Sequence, residues 1–211
     1  MNPQPVDANV SWLTRPPGAT VTLTMALPSI DTEVVLRARR GDQAAFAQIV
    51  ALYQKPIFNY VLRMLGDREV AEEVTQDVFL RVHQNLERFS FRAKFTTWLF
   101  RIAKNRALDE LRSDPRRQFR AELEEDTIAV DDAPVERAET IDLIWRAVQA
   151  LPEELKTALL LRDVAGFSYA EIMEIAEVTL PTIKWRIFRA RELVAQAVDA
   201  QRPDTGFAAA V

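Results

Sequence analysis

Four cationic side chains stand close together near the end of the chain, at Lys184, Arg186, Arg189 and Arg191. The stretch from Leu180 to Arg191 contains no acidic residue that could neutralise them. Lysine and arginine bind DNA phosphates, and arginine also pairs with base edges in the major groove. The stretch therefore suits duplex DNA recognition, although a solvated basic helix face would have the same composition.

A second cluster interleaves aromatic and cationic residues between positions 89 and 112. Aromatic rings stack on unpaired bases while cations follow the phosphates, so this composition suits single-stranded nucleic acid. The alternative is that the rings belong to the hydrophobic core. We expect core positions for Phe95, Trp98 and Leu99, and exposure for Phe89 and Phe91.

The sequence gives little support to catalysis. It has one histidine, His83, and no cysteine. It shows no glycine-rich phosphate loop, metal-ligand spacing or nucleophile arrangement. We therefore predict that the protein is not an enzyme and uses neither metal nor cofactor. The lack of cysteine, of a signal peptide and of an apolar run of about 20 residues predicts a cytoplasmic protein without membrane insertion.

A helix-turn-helix is predicted to position the four cations. Ser168 can cap a first helix, with Glu171 as its capping-box partner, and residues 177–179 form the turn. Thr179 can cap the second helix, where Pro181 is tolerated in the first turn. The apolar residues of that helix recur at helical spacing and face inward, at Ile183, Ile187, Ala190 and Val194. Its basic outer face is what a recognition helix needs.

The rest of the chain is predicted to be all-α. Glycine is scarce, with 5 residues, and helical periodicity recurs in segments starting near Asp31, Asp42, Arg68, Thr96, Thr140 and Pro152. An acidic stretch containing Pro134 separates two helical domains and is predicted to be a flexible linker. We divide the chain into a flexible extension (1–30), a first domain (31–113), the linker (114–139), a second domain (140–199) and a tail (200–211).

Charge constrains how the protein meets DNA. The formal net charge is -4, whereas proteins that bind DNA unaided are usually basic. We therefore expect weak DNA affinity from the isolated chain.

The predicted helix from Arg68 to Leu86 has two different faces. A valine stripe every fourth residue faces the core. The other face is polar around one apolar residue, and consists of Glu72, Glu73, Gln76, Asp77 and Leu80. Such a face is either solvated or a docking surface for a basic partner helix.

Three segments in this order carry a family resemblance: EVAEEVTQDVFLRVHQNL, then WLFRIAKNRALDELR, then LPEELKTALLLRDVAGFSYAEIMEIAEVTLPTIKWRIFRARELV. They resemble bacterial sigma factors of the extracytoplasmic-function (ECF) group of the sigma-70 family. The resemblance covers about Asp31 to Val198. It implies a sigma region 2 bundle, a sigma region 4 helix-turn-helix, and a function in transcription initiation: binding core RNA polymerase, recognising −10 and −35 promoter elements and helping to open the DNA.

The resemblance also implies partners and residue roles. The β′ clamp helices of polymerase would take the face at Glu72, Glu73, Gln76, Asp77 and Leu80. The −10 element would be bound and melted, with a base flipped out, by Phe89, Phe91, Arg92, Lys94, Trp98, Arg101, Lys104, Asn105 and Arg112. The −35 element would be read by Thr182, Lys184, Trp185, Arg186 and Arg189. The implied partners are core polymerase, including its β subunit, promoter DNA and an anti-sigma factor.

Three residues of the helix-turn-helix depart from the family pattern. Glu177 stands where relatives usually carry glycine, Pro181 where a small residue is common, and Trp185 where a small polar residue is usual. We expect the fold to survive, because Glu177 can sit in the turn at modest cost if its φ is negative, and we expect Trp185 to contact DNA or a regulator. The alternative function is a stand-alone helix-turn-helix regulator of duplex DNA, which would not explain the aromatic and cationic cluster or the acidic charge balance.

Overall fold

The computed structural model describes Met25, residues 27–113 and residues 135–201, with side chains from residue 140 onward in the last range. All regular structure in these ranges is helical, which confirms the all-α prediction. The helices are α1 (Thr32–Arg39), α2 (Gln43–Leu65), α3 (Arg68–Asn85), α4 (Phe95–Ser113), α5 (Val135–Gln149), α6 (Glu153–Leu159), α7 (Tyr169–Ala176) and α8 (Leu180–Gln201).

Local sequence signals account for most helix ends. The carboxylates of Asp31, Asp42 and Asp67 each accept a hydrogen bond from a backbone N–H in the first turn of the next helix. Gly66 ends α2 with a φ of 75°, a conformation that glycine adopts without steric cost. The predicted start of α5 at Thr140 is wrong, because the helix already begins at Val135.

The first helical group, α1 to α4, has a core built on α2. The fully buried side chains of α2 include Ile49, Tyr53, Ile57 and Tyr60. The valine stripe of α3 is buried against it as predicted, and α4 contributes Leu99, Phe100 and Ala103. This packing fixes α3 and α4 side by side, and the turn between them carries the aromatic cluster.

The second helical group, α5 to α8, is centred on Trp145 and on a single π-helical turn, Leu160–Val164, that continues α6. The inward residues predicted for α8 are buried: Ile183, Ile187, Ala190 and Val194. Arg191 donates two hydrogen bonds to the carboxylate of Asp163, which is 4% exposed. This cation therefore anchors α8 to the π turn instead of facing outward.

The two groups pack against each other. The ring of Phe100 on α4 meets Phe167 edge to face, with centroids 4.9 Å apart. The α2 carbonyl groups of Arg63 and Met64 accept hydrogen bonds from Gln149 Nε2 (2.7 Å) and Lys156 Nζ (3.3 Å). In addition, α7 packs directly on α4.

Two predicted connecting segments are only partly described. Residues 114–134 of the acidic linker, residues 1–24 and 26 of the extension, and residues 202–211 of the tail lie outside the described residues. Within the predicted flexible extension, Met25, Leu27 and Ile30 are half-buried against the helices, which differs from the expectation for these positions. Their apolar side chains account for the difference, because they cover core residues.

Candidate nucleic-acid interface

The first helix of the helix-turn-helix begins with the predicted capping box. The backbone N–H of Glu171 donates to Ser168 Oγ (3.3 Å), and the carboxylate of Glu171 accepts from the Ser168 N–H (2.9 Å). Partial burial opposes ionisation, but hydrogen bonds from Ser168 and from Lys94 lower the pKa of Glu171 below its ordinary value. Glu171 is therefore a fixed negative charge at the start of α7.

The turn after α7 has a left-handed backbone at Glu177. Glu177 has φ 58° and ψ 40°, so the negative φ on which a modest cost depended is not adopted. The left-handed conformation lets its N–H bond to the Met173 carbonyl and directs the chain into α8. Glycine is usual at such a position because a Cβ is strained there by about 1–2 kcal/mol.

The recognition helix α8 presents a mixed outer face. Lys184 and Trp185 are exposed, with Trp185 60% exposed. Phe188, one turn further on, is 68% exposed and was not among the predicted residues, although its spacing of three from Trp185 puts both on one face. The outer face therefore combines a cation with two large rings.

The other predicted −35 residues are more constrained. The Thr182 hydroxyl lies 2.9 Å from that of Thr179, which stabilises the start of α8. Arg186 is half-buried, and Arg189 forms an ion pair with Glu192 on the same helix (2.6 Å). This pair lies near the surface, and exposed pairs of this kind contribute about 0–1 kcal/mol. Arg189 can therefore exchange Glu192 for a DNA phosphate at small cost.

The aromatic cluster at the start of α4 is a packed unit. Phe89 is 4% exposed, and its ring contacts those of Phe91, Phe95 and Trp98 at centroid distances of 4.7, 5.7 and 5.1 Å. The predicted exposure of Phe89 is therefore wrong, because this ring forms the centre of the cluster. Phe91 and Trp98 are half-buried and keep part of their surface open.

A groove of 410 Å³ runs between the end of α3 and the outer side of α4. It is lined by Arg81, Asn85, Arg88, Trp98, Arg101, Ile102 and Asn105. Three of these belong to the predicted −10 set, whereas Arg81, Asn85, Arg88 and Ile102 do not. Arg81, Asn85 and Arg88 are spaced by four and three residues along α3 and the 3-10 turn that follows it, and this spacing was the available signal. A groove with cations, amides and an aromatic ring suits a nucleotide, because cations bind its phosphate, amides can hydrogen-bond its base edge and the ring can stack on its base.

Several predicted −10 cations are engaged with the second helical group. Lys94 pairs with Glu171 (2.9 Å), Arg112 with Glu153 (2.7 Å), and Arg101 lies 4.0 Å from Glu177. Lys104 is 7% exposed, and burial lowers its pKa. By contrast, Arg92 and Asn105 are exposed.

The polar face of α3 is largely open. Glu72, Glu73 and Gln76 are exposed, and Leu80 is 60% exposed. Asp77 differs, because its carboxylate accepts a hydrogen bond from Arg106 of α4 and lies 3.4 Å from Arg81. It therefore joins α3 to α4 as well as bordering the open face.

Other kinds of site were also sought. Across the described ranges, no group of three or more histidine, cysteine, aspartate or glutamate side chains could hold a metal ion. Within the same part of the chain, no helix is both long and apolar enough to cross a membrane.

Comparison with known proteins places this geometry in a family. The models of Sigma-70 region 2 and Sigma-70 region 4 match residues 49–117 and 141–194. The RNA polymerase sigma-H factor of Pseudomonas aeruginosa is 36% identical over 180 residues, which cover 80% of this chain and 93% of that protein. The ECF sigma factor SigW of Bacillus subtilis is 33% identical, with 75% and 91% covered.

Solved structures show the same fold. CnrH, in complex with the cytosolic domain of CnrY, superposes with a TM-score of 0.62 at 23% identity, covering 81% of this chain and 97% of that one. The sigma factor RpoE of Bartonella quintana, in complex with the anti-sigma factor NepR, gives a TM-score of 0.58 at 21% identity, covering 74% and 98%. The chain belongs to the extracytoplasmic-function group of the sigma-70 family of RNA polymerase sigma factors.

Proposed function

We propose that the chain is a promoter-specificity subunit that binds core RNA polymerase, directs it to −10 and −35 elements and helps to open the DNA. The observation that carries this proposal is the pair of different surfaces on one chain. The groove between α3 and α4 suits an unstacked nucleotide, and the exposed face of α8 suits a major groove. A protein that only binds duplex DNA needs the second surface alone.

The −10 element is assigned to the groove and to the cations beside it. Arg88 and Arg101 would hold phosphates, and the open part of Trp98 would stack on a base. Extruding a base from the duplex costs a few kcal/mol, which several such contacts together can offset. Phe89 supports the surface from beneath because it is buried.

The −35 element is assigned to α8. Lys184 and Arg189 would contact phosphates or guanine edges. Trp185 and Phe188 are too exposed to contribute to the core, and large apolar groups in a major groove contact the methyl group of thymine. This arrangement favours a −35 element with thymine opposite these two rings.

Core polymerase is assigned to the open face of α3. The exposed side chains of Glu72, Glu73 and Gln76 lie on the same face as Leu80. Leu80 would make an apolar contact with a basic helix, such as one of the β′ clamp helices, while the polar side chains accept hydrogen bonds from its cations. Asp77 acts in part by holding Arg106. Contacts to the β subunit, which the resemblance implies, belong to the same proposal.

An anti-sigma factor and a cytoplasmic location complete the proposal. The solved structures of CnrH with CnrY and of RpoE with NepR support a protein inhibitor as a partner. A stand-alone regulator is not favoured, because both sigma regions are matched and the curated relatives are covered over at least 91% of their length in the cases given above. We also propose that the chain has no catalytic activity of its own.

The test uses reconstituted holoenzyme and permanganate reactivity of unpaired thymines. We expect Arg88→Ala to keep closed-complex formation but to lower DNA opening by about 10-fold, in line with one lost charge-assisted contact. We expect Lys184→Ala to weaken closed-complex formation instead. Lys55→Ala, at an exposed position of α2, is the matched control. Equal opening by Arg88→Ala and the control would contradict the role assigned to the groove.

A further inference from the structure

A short N-terminal segment, Met25 and residues 27–30, lies outside both matched family regions but packs on the helices. We call it the strap. Met25, Leu27 and Ile30 are half-buried, whereas Ser29 is exposed. The segment therefore turns one side toward the helices and the other toward solvent.

The strap contacts both helical groups. The Met25 N–H donates to the carbonyl of Val164, in the π turn of the second group, over 2.6 Å. The Tyr53 hydroxyl of α2, in the first group, donates to the Pro28 carbonyl over 3.0 Å. The four residues from Met25 to Pro28 therefore span from one group to the other.

Met25 also contacts a residue that joins the two groups. Arg63 Nη1 of α2 lies 3.9 Å from the Met25 sulfur. The same guanidinium lies over the ring of Trp145 of α5, 4.4 Å from its centroid. The Arg63 carbonyl accepts from Gln149. Met25 therefore touches a guanidinium of the first group that lies on a buried ring of the second group.

The interface that the strap covers is also the one that engages α4. Lys94, Arg101 and Arg112 face carboxylates of the second group, and α7 lies on α4. Each of these exposed pairs contributes only about 0–1 kcal/mol, so it is the three pairs together, with α7 packed on α4, that compete with a phosphate for these cations. Separating the groups would free these cations together.

We propose that the strap is an internal clamp that holds the two helical groups closed, with α7 on α4, and that the closed chain binds promoter DNA less tightly than the open one. The clamp itself does not depend on how DNA is bound. Its effect on DNA rests on the proposed −10 surface.

The first test compares two truncations that differ only at the strap. One chain begins at Met25 and keeps the strap, and the other begins at Asp31 and lacks it. Because the sequence has no cysteine, Lys55→Cys on α2 and Gln196→Cys on α8 allow one fluorophore on each group. We expect the energy-transfer distances of the longer truncation to match those of the full chain, and those of the shorter one to increase and broaden. Unchanged distances in the shorter truncation would overturn the clamp.

A second pair of variants guards against a folding artefact. Met25→Asp with Leu27→Asp should increase the distances in the full-length chain, whereas Ser29→Asp should not, and circular dichroism should show equal helix content. The opened variants should bind a single-stranded −10 oligonucleotide about five-fold more tightly. The apparent affinity rises by the same factor as the fraction of chains in the open, binding-competent state. Longer distances without tighter binding would refute the DNA effect and the −10 surface, and would leave the clamp standing.

Discussion

Because Glu177 has a left-handed backbone, replacing it by glycine should stabilise the folded protein relative to replacing it by alanine. We compare Glu177→Gly with Glu177→Ala, because both remove the carboxylate near Arg101 and differ only in the Cβ. Relief of left-handed strain is worth about 1–2 kcal/mol, and the freedom of glycine in the unfolded chain offsets about 0.4–1 kcal/mol of it. The glycine variant should therefore be more stable by about 1 kcal/mol, or about 2–4 °C in Tm for a chain of this size.

The matched control is Glu174, an exposed residue inside α7 with no positive φ. Here glycine should be less stable than alanine by about 1 kcal/mol, because it only weakens the helix. Thermal unfolding followed by circular dichroism at 222 nm would measure all four variants. If alanine is the more stable choice at both positions, the backbone of Glu177 is not left-handed and the account of this turn is wrong.

Three further predictions concern the interfaces. Replacing −35 thymines by deoxyuridine removes methyl groups and should weaken holoenzyme binding about four-fold for each methyl group that contacts Trp185 or Phe188. Trp185→Ser should abolish the effect at the base pair that Trp185 contacts. Equal binding of the thymine and deoxyuridine DNAs would contradict the contact. Gln76→Arg should lower polymerase affinity in a pull-down titration, whereas Gln54→Arg, exposed on α2, should not; this test is cleaner than Asp77→Arg, which also breaks the pair with Arg106. Burial lowers the pKa of Lys156 to about 8 from 10.5. Between these two pH values the unfolded chain binds more protons than the folded one, so the free energy of unfolding should rise by up to about 3 kcal/mol as the pH increases. Lys156→Met should remove this part of the pH dependence of Tm.

Sequence patterns were sufficient where a local rule decides the structure. Aspartate caps, a glycine helix end and the Ser168–Glu171 capping box each depend on residues within one turn. The valine stripe of α3 and the inward face of α8 depend on periodicity alone. These features were enough to predict where the helices lie and which face of each helix is buried.

The features that were missed depend on contacts between distant segments. Phe89 is buried because Phe91, Phe95 and Trp98 surround it, which no local pattern specifies. The positive φ of Glu177 follows from the geometry of the whole helix-turn-helix, which overrides the preference of the side chain. The pairing of α4 cations with acids of the second group, and the contact of Met25 with Val164, require the tertiary arrangement itself.

The central claim is most directly tested by run-off transcription with purified core polymerase and a library of promoter DNAs. We expect transcripts that require this protein, from templates that share two sequence blocks upstream of the start site. Tight binding of the chain alone to duplex DNA, with no initiation by a competent core polymerase, would contradict the account and favour a stand-alone regulator.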